Sequence, residues 1–215
     1  MAFYNRGIAY FNKREYDHAI QDFDEVIRLV PNLAEAFNER AGAYFGKREY
    51  DRAIQDYDQA IRLDPNYALA FNNRGYAYLY KREYDRAIQD FDQAIKLIPN
   101  YADAFNNRCV VRAIVNRFQK AMADCNESLR LRPGDGNTLG SRGIVHLKLK
   151  ELDSALADYE AALKADSKNA FSLYGRGTAK RWKGDATGAD ADIAAAEQIR
   201  PGIAADFERY GLSRP

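Results

Sequence analysis

Apolar positions in this chain recur at helical spacing in short runs, and the runs themselves recur. Between 69 and 80, Phe71, Gly75, Tyr78 and Leu79 share a helical face. Between 85 and 97, Ala87, Ile88, Phe91, Ala94 and Ile95 follow at i, i+3, i+4 and i+7 spacing. Lys81 to Tyr84 makes the turn between the two runs, and Asp85 suits the N-cap of the second, as do Asp17, Asp51 and Asp153 at the same place. Pro99 stops the second run and Asn100 opens the next turn. The pattern predicts two antiparallel helices, then a restart.

The restart is periodic. Pro31, Pro65, Pro99, Pro133 and Pro201 lie on a 34-residue grid, with Ser167 at the vacant step. Phe3, Phe37, Phe71 and Phe105 keep the same step and pass it to Leu139 and Leu173. Ala19, Ala53, Ala87, Ala121, Ala155 and Ala189 are unbroken; Gly7, Ala41, Gly75, Cys109, Gly143 and Gly177 are all small. A fixed period of this length means stacked supersecondary units, since one hairpin cannot bury both of its faces. Small residues let the two backbones approach while Phe71 and Phe91 fill the space around them. Six repeats fall at about 1–33, 34–67, 68–101, 102–135, 136–169 and 170–203. Residues 204–215 close the array as a cap, with Phe207 still on the grid.

Two charged series run through all six repeats. Arg6, Arg40, Arg74, Arg108, Arg142 and Arg176 share one position; Asp22, Asp56, Asp90, Asp124, Asp158 and Asp192 follow each by 16 residues. A ladder of six arginines invites a phosphate-track reading. The invariable aspartate on the facing helix favours an internal ion pair with a bidentate guanidinium.

The set of an aromatic, a small residue, Tyr, Ala, a second aromatic and Pro, seen in Phe71, Gly75, Tyr78, Ala87, Phe91 and Pro99, resembles the tetratricopeptide repeat. Arg74 stands where that family usually has Leu, and Cys109, Arg112, Cys125, Lys180 and Ala186 depart from the usual types in repeats four and six. The resemblance implies an all-α fold, a right-handed superhelical solenoid of antiparallel hairpins with a short C-terminal capping helix. It also implies that the first helices line a concave groove which binds peptides or partner helices.

The formal net charge of +1 favours neither nucleic acid nor an acidic membrane. No apolar run reaches the length of a membrane span. Met1 stands two residues before Phe3, so the chain reads as a compact start or as a segment of a longer protein, with a cytoplasmic location expected. His18 and His146 lack metal-site spacing, Gly134-Asp135-Gly136 reads as a helix-to-helix turn, and no acid–base or nucleophilic constellation appears. Cys109 and Cys125 face each other within one hairpin, either as two small buried hydrophobes or as a disulfide. No cofactor and no catalytic activity are expected.

The resemblance places its groove on the first helices. Candidate partner-binding residues there are Asn38, Asn72, Asn73, Asn106 and Asn107, whose amides can each donate to and accept from a peptide unit, together with Phe11, Phe45, Tyr76, Tyr80 and Trp182 as aromatic anchors. The residues that would form the family's carboxylate clamp are missing: Tyr4, Ile8, Leu69 and Asn73 stand in the corresponding places. Groove charges divide into Glu35, Glu39 and Asp103 early and Lys148 and Arg181 late. The expected function is a non-enzymatic interaction module for a protein or peptide ligand, without nucleic acid or membrane insertion. The alternative is a homo-oligomeric scaffold stacked through its terminal repeats.

Overall fold

The computed structural model describes residues 2–212, and every regular element among them is α-helical. Residues 213–215 of the expected cap lie outside the described residues. The helices fall into two compact units, 1–99 and 100–215. Unit 1 holds three hairpins: α1 (Ala2–Asn12) with α2 (Tyr16–Leu29), α3 (Ala34–Gly46) with α4 (Tyr50–Leu63), and α5 (Ala68–Tyr80) with α6 (Tyr84–Leu97). Unit 2 holds α7 (Ala102–Ile114) with α8 (Phe118–Leu131), α9 (Gly136–Leu149) with α10 (Leu152–Ala165), and α11 (Ala170–Trp182) with α12 (Ala186–Ile199). It ends in the short α13 (Ile203–Arg209).

The small series does what its spacing implies. A Cβ placed on Gly75 would lie 2.9 Å from the Phe91 ring and 3.2 Å from the Ala87 carbonyl oxygen. Only hydrogen fits there, so α5 and α6 close tightly with Phe91 wholly buried. Each hairpin turns through one residue in the left-handed region: Arg14, Arg48, Arg82, Asn116, Lys150 and Gly184. At the far end Phe207 is buried against Phe171 and Tyr174, with ring centroids 4.8 and 4.6 Å away, so α13 covers the last hairpin.

The proposed caps are different. α6 begins at Tyr84, which makes Glu83 the N-cap and puts Asp85 inside the first turn. α2, α4 and α10 begin the same way, and none of the four has a side-chain cap bond. A carboxylate in the first turn still complements the helix dipole. Asp17 and Asp51 also accept from Lys47 and Lys81 in the turn of the following hairpin, at 2.6 and 2.5 Å, and Asp153 pairs with Lys183 in the same manner.

All six arginines grip their aspartates through a two-bonded fork. Arg74 donates Nε and Nη2 to the Asp90 carboxylate at 2.8 and 2.7 Å, and the other five pairs repeat the geometry. The aspartates are all buried. In repeats four to six the expected tyrosine position carries Arg112, His146 and Lys180. Arg112 Nη1 and Lys180 Nζ reach the ladder carboxylates of Asp124 and Asp192 at 2.6 and 2.9 Å, and His146 Nε2 lies 3.6 Å from Asp158.

Cys109 and Cys125 form a disulfide between α7 and α8. Their facing positions bring the Cα atoms to 5.5 Å, inside bridging range, so the reading as two separate hydrophobes gives way to a covalent link. Both sulfurs belong to fully buried residues.

Candidate partner-binding face

In unit 1 the first helices α1, α3 and α5 lie side by side and present a polar row near their N-terminal halves. Asn73 on α5 donates its Nδ2 to Asn38 Oδ1 on α3 at 3.1 Å. Asn38 Nδ2 donates to Glu39 Oε1 at 3.1 Å, and Asn72 Nδ2 approaches Asn73 Oδ1 at 3.4 Å. Asn38 and Asn72 are 3% and 6% exposed, so they are not available as open contacts. Their phase on the helix turns them inward, where they fix the neighbours that do face out. Asn73, half-buried, keeps one N–H and lone-pair capacity beyond these two bonds.

Glu39 extends this row toward α1. Burial lifts its carboxyl above the usual carboxylate range, against the opposing Asn38 hydrogen bond. Burial also raises the phenol of Tyr4, and the charges of Glu39 and Glu35 raise it further. Tyr67, just before α5, is shifted upward by the same three influences in the same order. The register of the Asn73–Asn38 bond, repeated one hairpin earlier, sets Glu39 opposite Tyr4, and Tyr67 packs against the cluster of Ala34 and Phe37, so these residues and Glu35 form one acidic, ring-bordered corner.

The C-terminal halves of the same helices carry an aromatic cluster. Phe45 lies 5.3, 5.5 and 5.2 Å, centroid to centroid, from Tyr50, Tyr76 and Tyr80. Tyr76 and Tyr80 stand 5.2 Å apart, and Tyr76 is 36% exposed. Phe11 packs on Tyr16 at 5.8 Å and over Gly42. Tyr50 and Tyr16 were not among the expected site residues. Their equal place in the repeat, at the start of the second helix, was the available signal.

Unit 2 uses the corresponding positions differently. A Cβ on Gly140 would lie 3.1 Å from the Phe171 ring, and Gly143 and Gly175 both back onto Tyr159. Ile144, Leu147, Tyr174 and Thr178 are buried. Asn106 keeps a buried Oδ1 without a partner, while Asn107 is half-buried. Trp182 carries the Lys150 ammonium 3.6 Å above its ring. The two late groove cations are engaged: Lys148 donates to the Tyr210 carbonyl at 2.7 Å and Arg181 pairs with Asp190. Asp103 pairs with Arg132. The early-acidic, late-basic division thus reduces to Glu35 and Glu39.

A hollow of about 470 Å³ in unit 1 is lined by the ladder residues Arg74 and Asp90 with Asp58, Arg62 and Arg86. Its guanidiniums are already held, Arg74 by Asp58 and Asp90, Arg62 by Gln59 and Arg86 by Glu83. Among the described residues no group of three or more His, Cys, Asp or Glu side chains could hold a metal, and no helix is long and apolar enough to cross a membrane.

Models of the tetratricopeptide repeat match residues 1–33 and 68–101, and related TPR models match 43–81 and 137–169, together more than half of the chain. The chain belongs to the tetratricopeptide repeat family. Solved TPR structures share its fold. PilF of Pseudomonas aeruginosa is 21% identical with a TM-score of 0.78, covering 96% of this chain and 95% of its own. A tetratricopeptide repeat protein from Parabacteroides merdae is 19% identical with a TM-score of 0.80, over 98% and 82%. YrrB, described as a TPR protein with an unusual peptide-binding site, is 23% identical with a TM-score of 0.59, over 87% and 97%. The comparison with curated protein sequences returned no match.

Proposed function

We propose that this TPR protein is a non-enzymatic interaction module whose unit 1 binds an extended peptide segment of a partner protein across α1, α3 and α5. The observation that carries the reading is the adjacency, on one helical face, of the Asn73 amide row and the Phe45–Tyr76–Tyr80 rings. Amides match the donor–acceptor pattern of a peptide backbone, and rings supply the area that anchors interfaces. YrrB, similar in fold, is a TPR protein described by its peptide-binding site, which supports the same use here. The arginine ladder, the one feature suggesting nucleic acid, is committed to aspartates.

The test is selection of a displayed random dodecapeptide library on the intact chain, then calorimetry of the recovered peptides. Peptides that bind the native chain and lose most of their affinity for Asn73→Ala combined with Tyr76→Ala support the face. Equal binding to a folded double variant rejects it. Light scattering over a concentration series, run alongside, reports self-assembly through terminal repeats.

A further inference from the structure

Among the described residues of unit 1, the carboxylates sheltered from water meet a cation, with one exception. Asp22, Asp56 and Asp90 have ladder arginines. Asp24 and Asp58 take the remaining Nη1 of Arg40 and Arg74. Glu25 pairs with Arg28, while Glu49 and Glu83 each meet a lysine and an arginine. Glu39 breaks this habit. It is more sheltered from water than the exposed acids of the second helices, yet its hydrogen-bond partner is the neutral amide of Asn38. Glu35, one turn earlier on α3, adds a second negative charge with no cation paired to it among the described residues.

A half-buried carboxylate with no counter-charge is costly to the free protein. A ligand cation entering beside it gains both the attraction and the relief of that cost. Tyr4 faces Glu39 in the register that joins Asn38 to Asn73 one hairpin later, and Tyr67 packs against the cluster that holds Ala34 and Phe37 of α3; ring faces and edges suit the stem and head of a basic side chain.

We infer that the corner formed by Glu39, Glu35, Tyr4 and Tyr67 receives a lysine or arginine side chain of the bound peptide. This rests on the peptide-binding reading of unit 1 and adds its selectivity. Geometry fixes the spacing as well. Glu39 and Phe45 are six residues apart on α3, about 9 Å along the helix. An extended chain covers that interval in about three residues. Glu39 and Phe45 also lie about a third of a turn apart around α3, so the ligand carries a basic residue about three or four positions from an aromatic or aliphatic one, the latter seated on Phe45, Tyr76 and Tyr80.

The dodecapeptide library is selected in parallel on the intact chain and on Glu39→Gln. Glutamine keeps the acceptor for Asn38 and removes the charge, and its folding is checked by thermal melting. The expected result is enrichment of Lys or Arg at one register on the native chain, lost on Glu39→Gln. A synthetic peptide from the native selection should bind the variant about tenfold more weakly. Its Lys→norleucine analogue should bind both proteins alike. Peptides without a basic preference, or affinities within twofold on Glu39→Gln, overturn the cation corner. In that case, continued sensitivity to Asn73→Ala with Tyr76→Ala keeps the peptide-binding reading intact. A library that yields no binder removes both.

Discussion

Arg74 reaches out of its own hairpin to Asp58 of the preceding one, Nη1 to Oδ1 at 2.6 Å, while its other edge grips Asp90. Arg40 does the same with Asp24, and Arg142 turns its Nη1 to Asn126. Each such guanidinium closes its own hairpin and fastens it to the one before. Burial opposes the charge on Arg74, yet the hydrogen bonds it donates to Asp90 and Asp58 raise its pKa.

Removing one partner of this arrangement should be worse than removing both ladder charges. Asp90→Ala leaves Arg74 largely buried with one of its three bonds and should cost about 3 kcal/mol. Arg74→Met with Asp90→Leu should cost clearly less, because an apolar pair replaces the ion pair. Urea denaturation of the two variants decides it; equal losses would show that the pair does not act as a unit.

Tyr159 is wedged between Gly143 and Gly175, where an added Cβ would come within 3 Å of its ring. Gly175→Ala should therefore destabilise by about 1–3 kcal/mol, despite the roughly 1 kcal/mol that alanine gains in a helix. The phenol oxygen of Tyr159 is buried without a hydrogen-bond partner. Tyr159→Phe should then raise stability by about 1 kcal/mol. A melting temperature that falls for Tyr159→Phe would reveal a partner for that hydroxyl.

The buried Cys109–Cys125 bridge should resist alkylation in the native protein and yield two modified cysteines only after denaturation with a reductant. Replacing both by alanine should cost about 3 kcal/mol, the value for a loop of this length. Trapping thiols in intact cells of the source organism also bears on location, since disulfides are rare in cytosolic proteins.

Glu39 gives a pH signature. Its folded pKa is raised by burial, so its contribution to stability is fully present below the unfolded value of about 4.3 and is lost as pH rises through the folded one. Native protein should gain stability relative to Glu39→Gln on acidification from pH 7 toward pH 4. Parallel melting curves for the two across that window would contradict the shift.

Much of this was legible in the sequence. Gly75 with Phe91, the Arg74–Asp90 pairing and the place of Phe207 all follow from the 34-residue step, because each depends on contacts that recur at fixed offsets. The capping role of Asp85 was misplaced because α6 begins one residue earlier, at Tyr84, with Glu83 at the cap position. The left-handed turn at Arg48 was hidden by a residue type that does not advertise such a conformation. The burial of Asn38 and Asn72 was missed because polar type was taken for exposure, while their amides serve Asn73 and Glu39. Lys148 is held by a carbonyl 62 residues later in the chain, a distance no local pattern conveys.

The closure of Gly140 under Phe171 and of Gly175 under Tyr159 has a bearing on how sequence drift in this protein should be interpreted. Substitutions at one register of the repeat meet opposite constraints in the two units. At the Gly175 register unit 1 carries Glu39 and Asn73 on the proposed partner-binding face, while in unit 2 Gly175 itself lies against Tyr159 and tolerates little. A profile averaged over all six repeats blends these histories. Variation aligned within each unit separately keeps changes on the proposed face of unit 1 apart from changes in the packed interior of unit 2.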